Sequence, residues 1–272
     1  MFIPKKEIDK LSADIRRIID GHTIDLRDNL EGRLSALKND IHTLAGRLNE
    51  QSDNSRREKI ALADSLANIS HQLKTPLAAM SVMVDLLEDA PSEKRAEFIA
   101  NLKQGLAQTN RLADSLLKMA KLDSGSVEFF PVKISARELF DLALAPMQIL
   151  PDIKGQTVKF GGGAELFCDK NWTAEALGNV IKNASEHSPE GGEIFVTAGE
   201  NPLCTWVSVS DSGAGVPREK MRDIFRRFGG SAGGTGIGLP LALDIMQRQN
   251  GDISVENNGE RGRGACFTLK FF

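Results

Sequence analysis

Apolar residues at Leu62, Leu66, Ile69, Leu73, Leu77, Met80, Val84 and Leu87 recur at steps of three and four. Such steps draw one buried seam along a long α-helix. The turn Asp89-Ala90-Pro91 ends it. Pro91 and Ser92 restart the chain as a helix, with Glu93 placed favourably in the first turn. A second stripe follows at Ile99, Leu102, Leu106, Leu112, Leu116 and Met119, and Leu122-Asp123-Ser124-Gly125 closes it. Two amphipathic helices joined by a tight turn cannot bury their apolar faces alone. Pairing with a second copy makes a dimeric four-helix bundle.

His71 lies midway between Ile69 and Leu73 on the first of these helices. Two residues is about 200° of helix turn, so the imidazole points away from the seam into solvent. Pro76 sits inside the same helix. It removes a backbone donor and crowds the carbonyl of Gln72, at a cost of roughly 3 kcal/mol, which predicts a bend beside an exposed histidine. His22 and His42 carry no such context and read as solvated surface histidines.

Two further helices are expected before residue 50. Ile8, Leu11, Ile15 and Ile18 form one stripe, stopped by Gly21. Leu34, Leu37, Ile41, Leu44 and Leu48 form a coiled-coil-like seam. A short connector with Ile24 and Leu26 joins them, and the polar residues 51–59 read as a solvated helical bridge. A plain dimerising coiled coil accounts for this region on periodicity alone.

From Val127 the pattern changes. Val127–Val132, Thr157–Phe160, Glu193–Ala198, Thr205–Ser210, Asp252–Glu256 and Ala265–Phe271 read as strands. They alternate with helical stretches at Arg137–Ile149, Asn171–Ser188 and Leu239–Gln249. The expected fold is an α+β sandwich, a sheet covered by helices on one face. Three domains follow: 1–52, an all-α coiled-coil signalling segment; 53–125, the helical hairpin; and 126–272, the sandwich.

Three short motifs in the sandwich carry chemistry. On the helix from Asn171, Glu175, Asn179, Asn183 and His187 recur every four residues opposite an apolar side. Each step drifts about 40°, so they form a slanted stripe. The Asn183 amide offers this polar side a hard oxygen ligand. A carboxylate at the end of a strand, Asp211 in Asp211-Ser-Gly213-Ala-Gly215, can accept a hydrogen bond from an adenine amino group. The two glycines allow the backbone close to a base. Finally, Gly234-Thr235-Gly236-Ile237-Gly238-Leu239 opens a helix with Pro240 in its first turn, and free N–H groups there suit phosphate. Each motif alone has an ordinary reading, as a wet helix face, a turn or a helix start. No strand directly precedes the last glycines, which argues against a dinucleotide fold.

The combination resembles a known family. His71-Gln72-Leu-Lys-Thr75-Pro76 is similar to the phosphoacceptor box of two-component sensor histidine kinases. Asn179-Val-Ile-Lys182-Asn183, the Asp211–Gly215 motif, Ile224-Phe225-Arg-Arg-Phe228 and Gly234–Leu239 resemble, in that order, the N, G1, F and G2 boxes of their GHKL (Bergerat-fold) ATPase domains. Gly262-Arg-Gly264-Ala265 resembles the last glycine box. Pro4, Gly21 and Asn29–Leu34 resemble a HAMP module.

The resemblance implies a homodimeric, ATP-dependent protein-histidine kinase. Asn183 would hold Mg²⁺, and Asn179, Lys182 and His187 would contact phosphates. Asp211, Gly213 and Gly215 would meet the base. Residues between Phe228 and Gly234 would form a lid, with Phe225 packed under it, and Gly234, Thr235, Gly236, Ile237, Gly238 and Leu239 would bind the ATP phosphates. His71 would take the γ-phosphoryl group of ATP and pass it to an aspartate of a response-regulator receiver domain. Thr75 would orient water for dephosphorylating that regulator. HAMP modules usually follow a membrane span, which implies a cytoplasmic portion of a cell-membrane sensor.

The chain departs from the family at two positions. Many relatives carry a carboxylate where Gln72 stands, and an amide cannot act as a base near neutral pH. Many carry a hydroxyl where Ala265 stands, so no hydroxyl contact to adenine is expected there. Two other classes stay open on the residues: a GHKL ATPase or serine kinase without phosphohistidine, and a nucleotide-binding scaffold without turnover.

Composition fits these readings. A net charge of −3 gives no basic surface for nucleic acid or an anionic membrane. Three scattered cysteines, Cys168, Cys204 and Cys266, show no metal spacing and suit a reducing compartment. No signal-peptide pattern is present, nor a run of about 18 apolar residues that could span a bilayer.

Overall fold

A computed structural model describes residues 5–19, 25–26, 33–88, 91–147, 154–229, 236–257 and 264–272. The chain divides into two compact units, Met1–Ala67 and Asn68–Phe272.

In the first unit, helix α1 spans Lys5–Ile19 and α2 begins at Arg33. Leu11, Ser35 and the connector residue Leu26 are buried. Leu37, Leu44 and Leu48 lie exposed along α2. Gly21, Ile24, His22 and Asn29–Gly32 lie outside the described residues.

α2 runs unbroken over Arg33–Glu88, so the polar stretch 51–59 is helical as expected. Pro76 is accommodated inside this helix without ending it. α3 follows at Ser92–Asp123 and ends on Gly125, whose φ of +66 places it in the left-handed region. Met80 and Gly105 meet across the α2–α3 hairpin: a Cβ on Gly105 would lie 2.9 Å from the Met80 side chain. Leu77, Val84, Ile99, Leu106 and Leu117 remain exposed. The hairpin therefore presents an apolar face that it cannot cover itself.

The rest of the second unit is the α+β sandwich. Its main sheet has five strands in the order β2–β4–β5–β7–β6: Thr157–Gly162, Glu193–Glu200, Thr205–Ser210, Ala265–Phe271 and Gly251–Asn257. β2 pairs with β4 in parallel and the other pairs are antiparallel. Alternation along the strands sends Ile194, Val196, Val207, Val209, Phe267 and Leu269 to one face. There they meet α4 (Ala136–Leu144), α5 (Lys170–His187) and α6 (Gly238–Gln247).

Capping explains where these helices start. Ser135 Oγ accepts from Glu138 N at the head of α4. Asp169 heads α5: Oδ1 accepts from Asn171 N and Trp172 N, and Oδ2 from Phe130 N, each at 3.0 Å.

Several boundaries differ from the sequence reading. Val127–Val132 is not a strand: Val127 and Phe129 pack on the core, and pairing starts only at β1, Val132–Ser135. β1 pairs with β3, Glu165–Cys168, a strand too short to show in the pattern. The helix from Arg137 ends at Leu144, where Ala145–Met147 tighten into a 3₁₀ turn at Pro146. Residues 148–149 lie outside the described part.

Candidate active site

The slanted stripe on α5 serves three neighbours in turn. Glu175 pairs with Lys118 of α3 at 2.8 Å. One turn on, Asn179 donates to the Glu175 carbonyl and stands against Gly238, where a Cβ would lie 2.9 Å from the Asn179 Oδ1. Asn183 and His187 then reach a cavity of about 220 Å³. Lys182 leans towards Glu186 at 3.7 Å and does not line the cavity.

Opposite α5, the cavity is walled by Asp211 and Gly215, and α6 contributes Leu239. Asp211 is held rigidly. Its Oδ1 accepts from Gly213 N at 2.8 Å and from Ala265 N at 3.1 Å, while its own N–H donates to Ala265 O. Two glycines permit this packing. Gly264 has φ +113, and a Cβ there would lie 1.9 Å from the Asp211 carbonyl oxygen. At Gly213 a Cβ would come within 2.5 Å of the His187 carbonyl oxygen, so the loop seats directly on the end of α5.

Phe225 stacks edge-on against Phe267, whose side chain lines the cavity. Phe228, at φ +61, donates its N–H to the Gly236 carbonyl at 2.8 Å. That bond closes the stem of the glycine-rich loop. Ile237 is fully buried behind it. Gly234 and Thr235 lie outside the described residues.

The sequence reading missed several wall residues. Val216, Pro217 and Lys220 line the cavity, beside Ile224 of the Ile224–Phe228 motif. Asn257 fixes their segment by exchanging two hydrogen bonds with the Val216 backbone, at 2.8 and 2.9 Å. Lys220 carried no motif, and Asn257 comes from a distant strand end, so only the pairing of separate segments reveals them.

Burial pushes the Asp211 carboxyl above the ordinary carboxylate range, against the opposing pull of the Gly213 and Ala265 amides and of His187. An amino group on a bound base favours the ionised acceptor. Lowering the pH through the raised value protonates Asp211 and weakens it as an acceptor, so a nucleotide whose base amino group is held there would bind less tightly on acidification. The expected result is a loss of ATP affinity between neutral pH and the carboxylate range in the wild type, beyond that shown by Asp211→Asn over the same range. The variant carries the same titration of the nucleotide itself, so calorimetric titration of both proteins isolates the Asp211 contribution.

His71 is exposed on α2. Thr75 Oγ1 donates to the His71 carbonyl at 3.1 Å, which commits its proton to the helix and leaves its lone pairs free to accept. Gln72 is half-buried beside them. The lower end of α3 is tied to the sandwich: Arg227 of the Phe225–Phe228 segment makes two hydrogen bonds to Asp123, at 2.6 and 2.7 Å. Those bonds hold the Asp123 carboxyl below its ordinary range and raise Arg227 further.

A helix-backed mixed sheet with an amide and a buried carboxylate facing across one cavity, beside a glycine-rich helix start, defines the GHKL ATPase fold. Residues 168–272 match the family model "Histidine kinase-, DNA gyrase B-, and HSP90-like ATPase", and residues 61–125 match "His Kinase A (phospho-acceptor) domain". The chain belongs to the two-component sensor histidine kinases.

Sensor histidine kinase WalK of Bacillus subtilis is 27% identical over 236 residues, covering 82% of this chain and 38% of WalK. Signal transduction histidine-protein kinase BaeS of Escherichia coli is 25% identical over 260 residues, covering 89% of this chain and 54% of BaeS. The chain thus spans about half or less of these relatives. Among solved structures, histidine kinase ThkA in complex with response regulator TrrA superposes with TM-score 0.61 at 20% identity, covering 82% of this chain and 65% of ThkA. That likeness bears on the fold. No helix among the described residues is long and apolar enough to cross a membrane.

Proposed function

We propose that this chain is an ATP-dependent protein-histidine kinase that phosphorylates His71 and passes the phosphoryl group to a response-regulator aspartate. The observation that carries the reading is the convergence of Asn183, His187 and Asp211 on one cavity, in the unit that also holds the exposed His71.

The residues present fit Mg²⁺–ATP. Asp211 and Gly215 receive the base, Gly213 lies behind them against the end of α5, and the apolar walls Val216, Ile224, Leu239 and Phe267 exclude water from the base. Asn183 offers the metal an amide oxygen. Among the described residues no cluster of carboxylate, histidine or cysteine could hold a metal alone, which suits an ion held mainly by phosphate oxygens and water. When bound, Mg²⁺ neutralises charge on the β- and γ-phosphates. His187 and Lys220 add positive or hydrogen-bonding character at the cavity, and the N-terminus of α6 offers free N–H groups. An unprotonated imidazole nitrogen of His71 attacks the γ-phosphorus. The N–P bond forms as the bridging P–O bond breaks, ADP leaves, and the other ring nitrogen releases its proton to water. Gln72 can orient the ring by hydrogen bonding but takes no proton.

The exposed stripe Leu77, Val84, Ile99, Leu106 and Leu117 supports dimerisation through the hairpin. TrrA, bound to ThkA in a solved complex, supports a receiver domain as the partner. We assign residues 1–52 to a HAMP-like segment, 53–125 to dimerisation and phosphotransfer, and 126–272 to catalysis. Attachment to a membrane would come through a sensor portion preceding these residues.

The chemical test is the lability of the label after incubation with γ-labelled ATP and Mg²⁺. Phosphohistidine is lost in acid and kept in alkali. An acid-stable label would instead support a serine kinase, and ATP hydrolysis with no label a GHKL ATPase.

Thr75 supports a phosphatase role. Its hydroxyl proton is held by the His71 carbonyl, so its outward lone pairs can accept from a water aimed at a docked aspartyl phosphate. Thr75→Ala should keep His71 phosphorylation within about twofold, since Ala favours the helix by up to about 0.7 kcal/mol. Decay of phosphorylated regulator in the presence of ADP should slow by about tenfold or more, in the range of a lost general-catalysis contact. Equal decay with wild-type and variant protein removes the role.

A further inference from the structure

The last turn of α5 places His187 at the cavity, yet it ends without a glycine cap. Ser188 leaves the helix in extended conformation, as a residue before proline must. The carbonyls around this helix end therefore need other donors. One buried side chain supplies most of them. Gln156, 7% exposed, precedes β2. Its Nε2 donates to the carbonyls of Ser185, Ser188 and Pro189 at 3.0, 3.1 and 3.1 Å. Its Oε1 accepts from Ser185 Oγ at 2.7 Å. Lys154 Nζ adds bonds to the carbonyls of Ser185 and Glu186 at 2.8 and 3.1 Å.

The clamped segment is the one on which the opposite wall rests. The His187 carbonyl is the group that excludes a side chain from Gly213, and Ser188 Oγ accepts from Ser212 N at 3.4 Å. The position of this helix end therefore sets both the reach of His187 into the cavity and its spacing from Asp211.

We infer that Gln156 is a positioning residue of the nucleotide site, acting through His187 by fixing the last turn of α5. The inference rests on the reading of this cavity as the ATP site.

The test is the initial rate of His71 phosphorylation against ATP concentration in the full chain, with nucleotide binding measured in parallel. Gln156→Met removes every polar contact at similar volume. It should raise the KM for ATP about tenfold while kcat stays within about twofold, because Asn183 and the acceptor are untouched. Affinity for ATP should fall by the same factor. In a His187→Ala background the same substitution should change affinity less than twofold. Ser185→Ala, which leaves the three donations in place, should shift KM less than twofold.

Should Gln156→Met fail to fold, Gln156→Asn retains a polar amide but falls one methylene short; it should raise KM at least threefold. An unchanged KM in the folded variant, even with a lowered melting temperature, overturns the inference, as does a penalty undiminished in the His187→Ala background. Asp211→Asn and His187→Ala are the controls. If neither weakens nucleotide binding, the ATP-site reading fails. If both do and the Gln156 variants bind normally, only the positioning role fails.

Discussion

His71→Gln protein is expected to bind ATP as tightly as the wild type and to accept no phosphate from it. The imidazole is exposed on α2 and lies outside the residues that line the cavity. Removing it takes away the nucleophile and nothing that holds the nucleotide. Glutamine is a good helix former, so α2 loses little by the exchange. The expected signal is complete loss of stable label, with calorimetric affinity unchanged within about twofold and an unchanged melting temperature. A parallel loss of nucleotide affinity would show that His71 belongs to the binding site and would overturn the division between acceptor and cavity.

Asn183→Ala should have the converse effect. The side chain faces the cavity from the C-terminal half of α5, while Ile181 and Ala184 are buried in the core. Losing an amide oxygen that would hold a metal on the transferring phosphate is expected to slow phosphorylation by about 10²–10³, the range lost with a single preorganised electrostatic contact. The fold should not suffer, since Ala gains up to about 0.7 kcal/mol of helix propensity over Asn. Phosphorylation at saturating ATP, together with thermal melting without nucleotide, separates the two effects. A large fall in melting temperature would make Asn183 structural, and full activity would remove it from the site.

Much of this architecture could be read in the residues because its signals are local. The steps of three and four through Leu62–Leu87 dictate a helix wherever they occur, and the structure keeps that helix intact across Pro76. Thr205–Ser210 and Ala265–Phe271 alternate cleanly because one face of the sheet meets helices, and both strands appear with the expected bounds. Where apolar residues pack without pairing, pattern misleads. Val127 and Phe129 alternate like a strand, but the backbone N–H of Phe130 bonds to the side chain of Asp169, a partner 39 residues away. β1 and β3 are four residues each, shorter than any reliable alternation, and exist only through each other.

The site divides in the same way. Asn183, His187, Asp211, Gly215 and Leu239 sit in motifs and meet at one cavity. Asn179 and Lys182 share the N-box motif but face Gly238 and Glu186. Gln156, Lys220 and Asn257 carry no motif, because their roles come from segments brought together by the sheet.

Phosphorylation of His71 from the nucleotide cavity is open to direct observation. Its most direct measurement is mass spectrometry of peptides from protein incubated with Mg²⁺–ATP and kept at alkaline pH. Phosphate should be found on His71 alone in the wild type, and on no residue in the Asp211→Asn protein. Phosphate on another residue, or undiminished phosphate on His71 when Asp211 is replaced, would contradict the account.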